Sequence, residues 1–133
     1  MKSLSKKGLE FVMGTHFAAF STVHRDGSPH TTPIWYMYDD GKFIVNTSLG
    51  RVKVKNVKRD DRVALLVHEE YSYVLVEGRA RIAKERDALK DIETLAIRYR
   101  GEAEGRKEAR NYYWKQKRVS FEVIPSKFVE QLE

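Results

Sequence analysis

One stretch of the chain, Val45-Asn46-Thr47-Ser48-Leu49-Gly50-Arg51-Val52-Lys53-Val54-Lys55-Asn56-Val57, carries the residue types that bind a phosphate monoester. Apolar residues run into two hydroxyl side chains, a glycine-containing turn follows, and cations begin immediately after it. Hydroxyls and backbone N–H groups at a helix start supply donors, and the local dipole there is positive. Arg51 and Lys53 supply charge, the guanidinium being able to hold two oxygens at once. The same spacing also suits a polar turn followed by a basic surface helix, and spacing alone leaves both readings open.

Other chemistries find no support. There is no Gly-x-Gly-x-x-Gly, no Gly-Lys-Ser/Thr phosphate loop and no Gly-x-Ser-x-Gly elbow. The four histidines, His16, His24, His30 and His68, lack ligand spacing, and cysteine is absent, so no metal site is expected. Glu69-Glu70 and Asp60-Asp61 are adjacent pairs that read as solvated turns. Basic and aromatic residues alternate between Arg98 and Lys117, as at some nucleic-acid surfaces. The plainer reading is a solvated helix face with packing aromatics. No side chain stands out as a catalytic acid or base.

The elements that must position these residues follow from periodicity. Leu9, Val12 and Met13 share a helical face, which predicts a helix over Ser5–Gly14. Strands are expected at Phe17–Val23, His30–Tyr38 and Phe43–Ser48, separated by Asp26-Gly27 and Asp40-Gly41, a strong hairpin signal. Pro33 cannot donate to a ladder and implies an edge or a bulge. Arg51–Asp60 mixes strand and helix spacing and is taken as a short helix. Arg62–His68 reads as a strand buried on both faces. Ser72–Ala83 alternates cleanly, with Val74, Val76, Gly78, Ala80 and Ile82 on one side. Leu89, Ile92, Leu95, Ala96 and Tyr99 form a helical stripe, Gly101 and Gly105 bracket a break, and Glu108–Lys115 adds a turn or two of helix. Arg118–Ile124 is a sixth strand ending before Pro125. The fold class expected is therefore mainly β (α+β): a single domain over residues 1–133, six antiparallel strands closed as a split β-barrel with peripheral helices.

Composition fits this picture. The 133 residues suffice for one domain with a real core, and 41% are hydrophobic. No apolar run approaches the ~20 residues that cross a bilayer. The N-terminal segment is amphipathic and lacks an apolar signal core, so a cytoplasmic protein is expected. The formal charge of +6 favours anionic partners such as phosphorylated cofactors, or reflects a highly charged solvated surface.

An ordered set of short motifs adds a family resemblance. They are Phe20-Ser21-Thr22-Val23, Asp26-Gly27-Ser28-Pro29-His30 and Thr32-Pro33-Ile34-Trp35-Tyr36. They continue as Thr47-Ser48, Arg51-x-Lys53-x-x-Asn56, Asp61-Arg62-Val63 and Val76-x-Gly78-x-Ala80. From about His16 to Ile82 the chain resembles the FMN-binding split-barrel superfamily related to pyridoxamine 5′-phosphate oxidase. The resemblance implies FMN as cofactor, its phosphate held by Thr47, Ser48, Arg51 and Lys53, with Asn46 also among the cofactor-binding residues. It implies the ring against the strand Thr32, Pro33, Ile34 and Trp35, at the interface of a homodimer. Tyr113 and Trp114 are aromatics available to cover a ring. The tail Arg118–Glu133 lacks the Trp, Arg and His set with which true pyridoxamine phosphate oxidases grip substrate, which argues against that reaction. The family's minimal members include FMN proteins and reductases that use a deazaflavin coenzyme. The functions implied are a flavin-dependent oxidoreductase of unknown substrate, a deazaflavin-dependent reductase, or a non-catalytic flavin carrier.

Overall fold

Asp40 and Gly41 both take positive φ, 48° and 82°, the geometry of a tight two-residue turn whose twist matches the strands it joins. Turns of this kind and alternating apolar residues generate most of the fold. The computed structural model describes residues 1–133. The chain runs α1 (Lys6–Met13), β1 (Phe17–Val23), β2 (Pro29–Ile34), β3 (Tyr36–Asp39) and β4 (Lys42–Ser48). It continues α2 (Val52–Arg59), β5 (Arg62–Glu69), β6 (Ser72–Ile82), α3 (Ala88–Arg100) and α4 (Glu102–Asn111). A short 3-10 turn at Tyr113–Lys115 leads into β7 (Arg118–Gln131).

All strand pairs are antiparallel, in the order β2-β1-β5-β6-β7-β4-β3. Strands β2 and β3 lie at opposite edges of this sheet, yet only Trp35 separates them in sequence. Consecutive Cα atoms are ~3.8 Å apart, so the two edges are drawn together at Trp35. The sheet therefore curls into a half-barrel. Its interior holds Phe20, Tyr36, Phe43, Val45, Leu65, Val67, Val74, Val76, Phe121 and Val123. Helix α1 covers one end through Val12, and the buried Tyr36 hydroxyl donates to Val12 O at 2.8 Å and Gly14 O at 3.0 Å.

The expected α+β half-barrel is present, with seven strands where six were expected. The segment His30–Tyr38 is apolar and Thr-rich throughout, so periodicity shows no break; the chain nevertheless changes sheet edge at Trp35. Pro33 does sit on the edge strand β2, where its missing N–H costs no ladder bond. Three further expectations are corrected. Strand β7 runs past Pro125 to Gln131, because Pro125 pairs with Gly78 at a bulge where the ladder register shifts. Strand β5 buries Val63, Leu65 and Val67 but leaves Ala64, Leu66 and His68 only half-buried. Gly105 lies within α4, which starts immediately after Gly101.

Candidate functional site

The turn Leu49-Gly50 ends β4 and starts α2, so the hydroxyl end of a strand and the cationic start of a helix meet there. No acidic residue occupies the first turn of α2, and Arg51 caps it without a side-chain hydrogen bond. The N–H groups and dipole of that end are therefore not neutralised by the chain itself. Helix α2 buries Val54 and Val57 against the barrel, and this orientation carries Lys53 inward as well.

A groove of about 450 Å³ opens at this point, lined by Phe17, Thr32, Pro33, Ile34, Trp35, Asn46, Thr47, Arg51 and Lys53. It joins the edge strand β2, the closure residue Trp35, the end of β4 and the start of α2. The residues assigned to phosphate and ring from sequence all line it except Ser48, whose carbonyl accepts from Arg51 N at 3.2 Å and so closes the turn behind it. Phe17, 72% exposed at the start of β1, lines the groove and was not anticipated. An exposed ring of that size is the one signal its sequence position could have offered.

Three cations converge here without a carboxylate. Lys53 is only 8% exposed, and neither it nor Arg51 nor Arg118 forms an ion pair. Burial, and then the charges of Arg51 and Arg118, push the Lys53 ammonium below the ordinary lysine range. Burial likewise lowers Arg118, and burial followed by His24 and Lys53 lowers His30. Taking a cation out of water without an anion is unfavourable, so this arrangement suits a negatively charged ligand.

Arg118 reaches the cluster from the far end of the sequence. Ser48 and Arg118 face each other across β4 and β7. Asn46 Oδ1 accepts from Arg118 Nε at 2.7 Å, and the guanidinium lies 4.9 Å from the Tyr113 ring centroid. The Asn46 amide nitrogen donates to Ala88 O at 2.9 Å and to Ser120 Oγ at 3.0 Å. Ser120 in turn donates to Asp91 at 2.7 Å, which is held by Arg86. Asn46 thus lines the groove while its amide group is committed to aiming Arg118.

At the other end of the groove the Thr32 hydroxyl is buried and has no hydrogen-bond partner. An orphaned hydroxyl costs roughly 1–3 kcal/mol, which a polar ligand edge would recover. Trp35 stacks on Tyr99 with ring centroids 5.3 Å apart and meets Tyr113 edge-on at 6.1 Å. Trp114 lies away from the groove, its indole N–H donating to Leu89 O at 3.0 Å. The groove therefore offers cations at one end and an apolar wall with an unsatisfied hydroxyl at the other. A phosphate on a flat, polar-edged ring fits both ends.

Known proteins place the chain. Residues 4–131 match the family model described as pyridoxamine 5′-phosphate oxidase. The F420H(2)-dependent biliverdin reductase of Mycobacterium tuberculosis is 32% identical over 100 residues, spanning 73% of each chain. The crystal structure of a conserved hypothetical protein from Mycobacterium tuberculosis superposes with TM-score 0.77 at 27% identity, covering 95% of this chain and 83% of that one. An F420 reductase structure superposes with TM-score 0.77 over 96% of this chain and all of its own, at 22% identity, a likeness of fold. The ordered strand motifs, the curled seven-stranded sheet and these matches lead to one assignment: the chain belongs to the pyridoxamine 5′-phosphate oxidase-like split-barrel family.

Proposed function

We propose that this protein binds a phosphorylated deazaflavin coenzyme in the groove and acts as a reductase toward a small-molecule acceptor. The observation that carries the reading is the convergence of the exposed Arg51, the buried Lys53 and the half-buried Arg118, none with a carboxylate partner. Arg51, Lys53 and Arg118 hold the phosphate, with Thr47 and the N-terminus of α2 as further donors. The ring lies along Thr32, Pro33, Ile34 and Trp35, and Thr32 bonds its polar edge. When bound, the coenzyme supplies a hydride; the chain supplies binding, orientation and exclusion of water.

Two observations favour a deazaflavin over FMN. One is the relative named for that class of coenzyme. The other is a second, basic groove of about 590 Å³ beside the first, lined by His24, Arg25, Val52, Lys55, Asn56, Lys58 and Arg59. It contains four Lys or Arg side chains and no acid, and suits the extra negative charge on a deazaflavin tail. FMN is the second reading, supported by the family match. The protein acts as a homodimer in the cytoplasm. Across the outer face of the sheet, Ala19 pairs with Leu66, Leu66 with Leu75, and Leu75 with Val129, an apolar row across four strands.

The test is a spectrophotometric titration of the purified protein with each coenzyme. Deazaflavin is expected to bind at least tenfold more tightly than FMN, with an affinity that falls steeply as salt rises. FMN binding as tightly or better makes this an FMN protein, and binding of neither removes the coenzyme proposal. Reoxidation of the reduced coenzyme by added acceptors separates a reductase from a non-catalytic carrier.

A further inference from the structure

Arg118 is a half-buried guanidinium whose charged neighbours, Arg51 and Lys53, repel it. No carboxylate pairs with it. What holds it is a line of hydrogen bonds that runs away from the groove. Arg118 Nε donates to Asn46 Oδ1 at 2.7 Å, Asn46 Nδ2 donates to Ser120 Oγ at 3.0 Å, and Ser120 Oγ donates to Asp91 Oδ2 at 2.7 Å. Asn46, Ser120 and Asp91 are all buried.

The fold gathers these groups from three parts of the chain. Asn46 pairs with Ser120, and Ser48 with Arg118, across β4 and β7. Residues two apart on a strand share a face, so Asn46, Arg118 and Ser120 form one patch. Asp91 reaches that patch from the first turn of α3. The same turn supplies Ala88 O, which accepts the second hydrogen of the Asn46 amide at 2.9 Å.

Every donor in the line points toward Asp91. Ser120 has one proton; given to a carboxylate, which only accepts, it leaves the hydroxyl lone pairs for Asn46. Asn46 then presents its NH2 to Ser120 and Ala88, and its oxygen turns to Arg118. A reversed amide would set donor against donor at Arg118 Nε. Arg86 fixes Asp91 in turn, through Nε at 2.8 Å and Nη2 at 3.1 Å. Arg86 shares its charge with Asp39 at 3.4 Å and Glu122 at 3.8 Å, so it does not fully neutralise Asp91.

This placement resolves a conflict. A carboxylate against Arg118 would steady it but would compete with an anionic ligand. Two neutral side chains between them keep the restraint and set the opposing charge back from the groove. Arg118 Nη1 donates to Gln116, whereas Nη2 makes no hydrogen bond within the protein and is free for a ligand.

We propose that Asp91 is a positioning residue of the anion site: through Ser120 and Asn46 it fixes Arg118 Nε and leaves the outer edge of the guanidinium to the phosphate. That the phosphate belongs to a coenzyme rests on the reading above, but the line of hydrogen bonds is complete without it.

The experiment reads Arg118 directly. In coenzyme-free protein labelled with nitrogen-15, the Arg118 Nε–H gives a resonance that Arg118→Gln removes and so assigns. Asp91→Asn keeps the size of the side chain and removes its charge. Ser120→Ala cuts the line and leaves Asp91 with Arg86, and it decides the same question should Asp91→Asn fail to fold. Each variant should shift the Arg118 resonance and speed its exchange with water about tenfold, the loss of roughly one hydrogen bond. A merely structural role would lower the melting temperature and leave that resonance unmoved. Titration with the deazaflavin coenzyme gives a second readout. Asp91→Asn should weaken binding about fivefold in the native background and not at all in Arg118→Gln, because both act through one group. An unmoved Arg118 resonance in either variant, or an equal loss of affinity in the Arg118→Gln background, overturns the assignment. A native chain that binds no coenzyme, with the resonance still shifted in the variants, sinks the coenzyme reading and keeps the positioning role.

Discussion

Lys53 is the residue at which stability and binding oppose each other. In the free protein its ammonium is buried, faces Arg51 and Arg118, and has no counter-ion. Replacing it with methionine keeps the aliphatic stem and removes the charge. Lys53→Met should raise the melting temperature of the coenzyme-free protein by a few degrees, about 1 kcal/mol. It should weaken the coenzyme by about 10–100-fold, the worth of one charge-assisted pair. Calorimetry on the free protein and a binding titration read the two effects. The pH dependence has a definite sign. Lys53 is lowered in the folded state, so between its lowered value and the ordinary lysine value the unfolded chain holds more protons. Its penalty is full below that window, and the free protein gains stability as pH rises through it. A bound phosphate reverses the shift, so coenzyme affinity falls over the same rise. Affinity measured from neutral to alkaline pH checks this, and a flat profile excludes Lys53 from the phosphate. Thr32 makes a parallel case without charge. Thr32→Val removes a hydroxyl that has no partner in the free protein. The free protein should be as stable or slightly more so, while the coenzyme weakens several-fold, the worth of roughly one neutral hydrogen bond.

At the scale of elements, the packing of α4 on α3 depends on one glycine. A Cβ at Gly105 would lie 2.5 Å from the backbone N and Cα of Ile97. Helix propensity alone favours Gly→Ala by ~1 kcal/mol. Here the helices must separate to admit the methyl group, and Gly105→Ala should instead destabilise by about 1–3 kcal/mol, lowering the melting temperature by several degrees. Because α3 ends in Tyr99 and Arg100, the displaced helix pair also disturbs the wall at Trp35. A rise in stability on thermal unfolding would show that the helices yield freely. This position also shows where sequence reading stops. Gly105 reads as a helix break because propensity is local, whereas its role is set by Ile97 on another helix. Pro125 misleads for the same reason, since the bulge at Gly78 that tolerates it is not encoded nearby. By contrast the Asp-Gly turns and the alternation of β6 are local rules and were legible. The cationic end of the groove was legible because Thr47, Arg51 and Lys53 are close in sequence. Arg118 was not, because only the pairing of β4 with β7 brings it to Ser48.

The whole molecule poses a different problem, the outward face of its sheet. The interior of the half-barrel is filled, yet β5 presents Ala64 and Leu66 outward, only half-buried. Leu66 pairs with Ala19 on one side and Leu75 on the other, and Val129, 36% exposed, extends the row. An apolar row across four strands in an otherwise highly charged chain is costly in water, at ~25 cal/mol per Å². A second copy of the chain applied to this face would bury it, and a stable interface needs about 800 Å² per partner. Leu66→Glu places a charge at the centre of the row. Its side chain points away from the barrel interior, so the fold should survive, as circular dichroism would show. Sedimentation equilibrium should find a dimer for the native chain and a monomer for the variant. If the partner covers the coenzyme ring, the monomer should also bind coenzyme at least tenfold more weakly although Arg51, Lys53 and Arg118 are untouched. A native chain that sediments as a monomer, or a variant that remains a dimer, would remove this face from the assembly. A monomeric variant with undiminished affinity would make each groove self-sufficient.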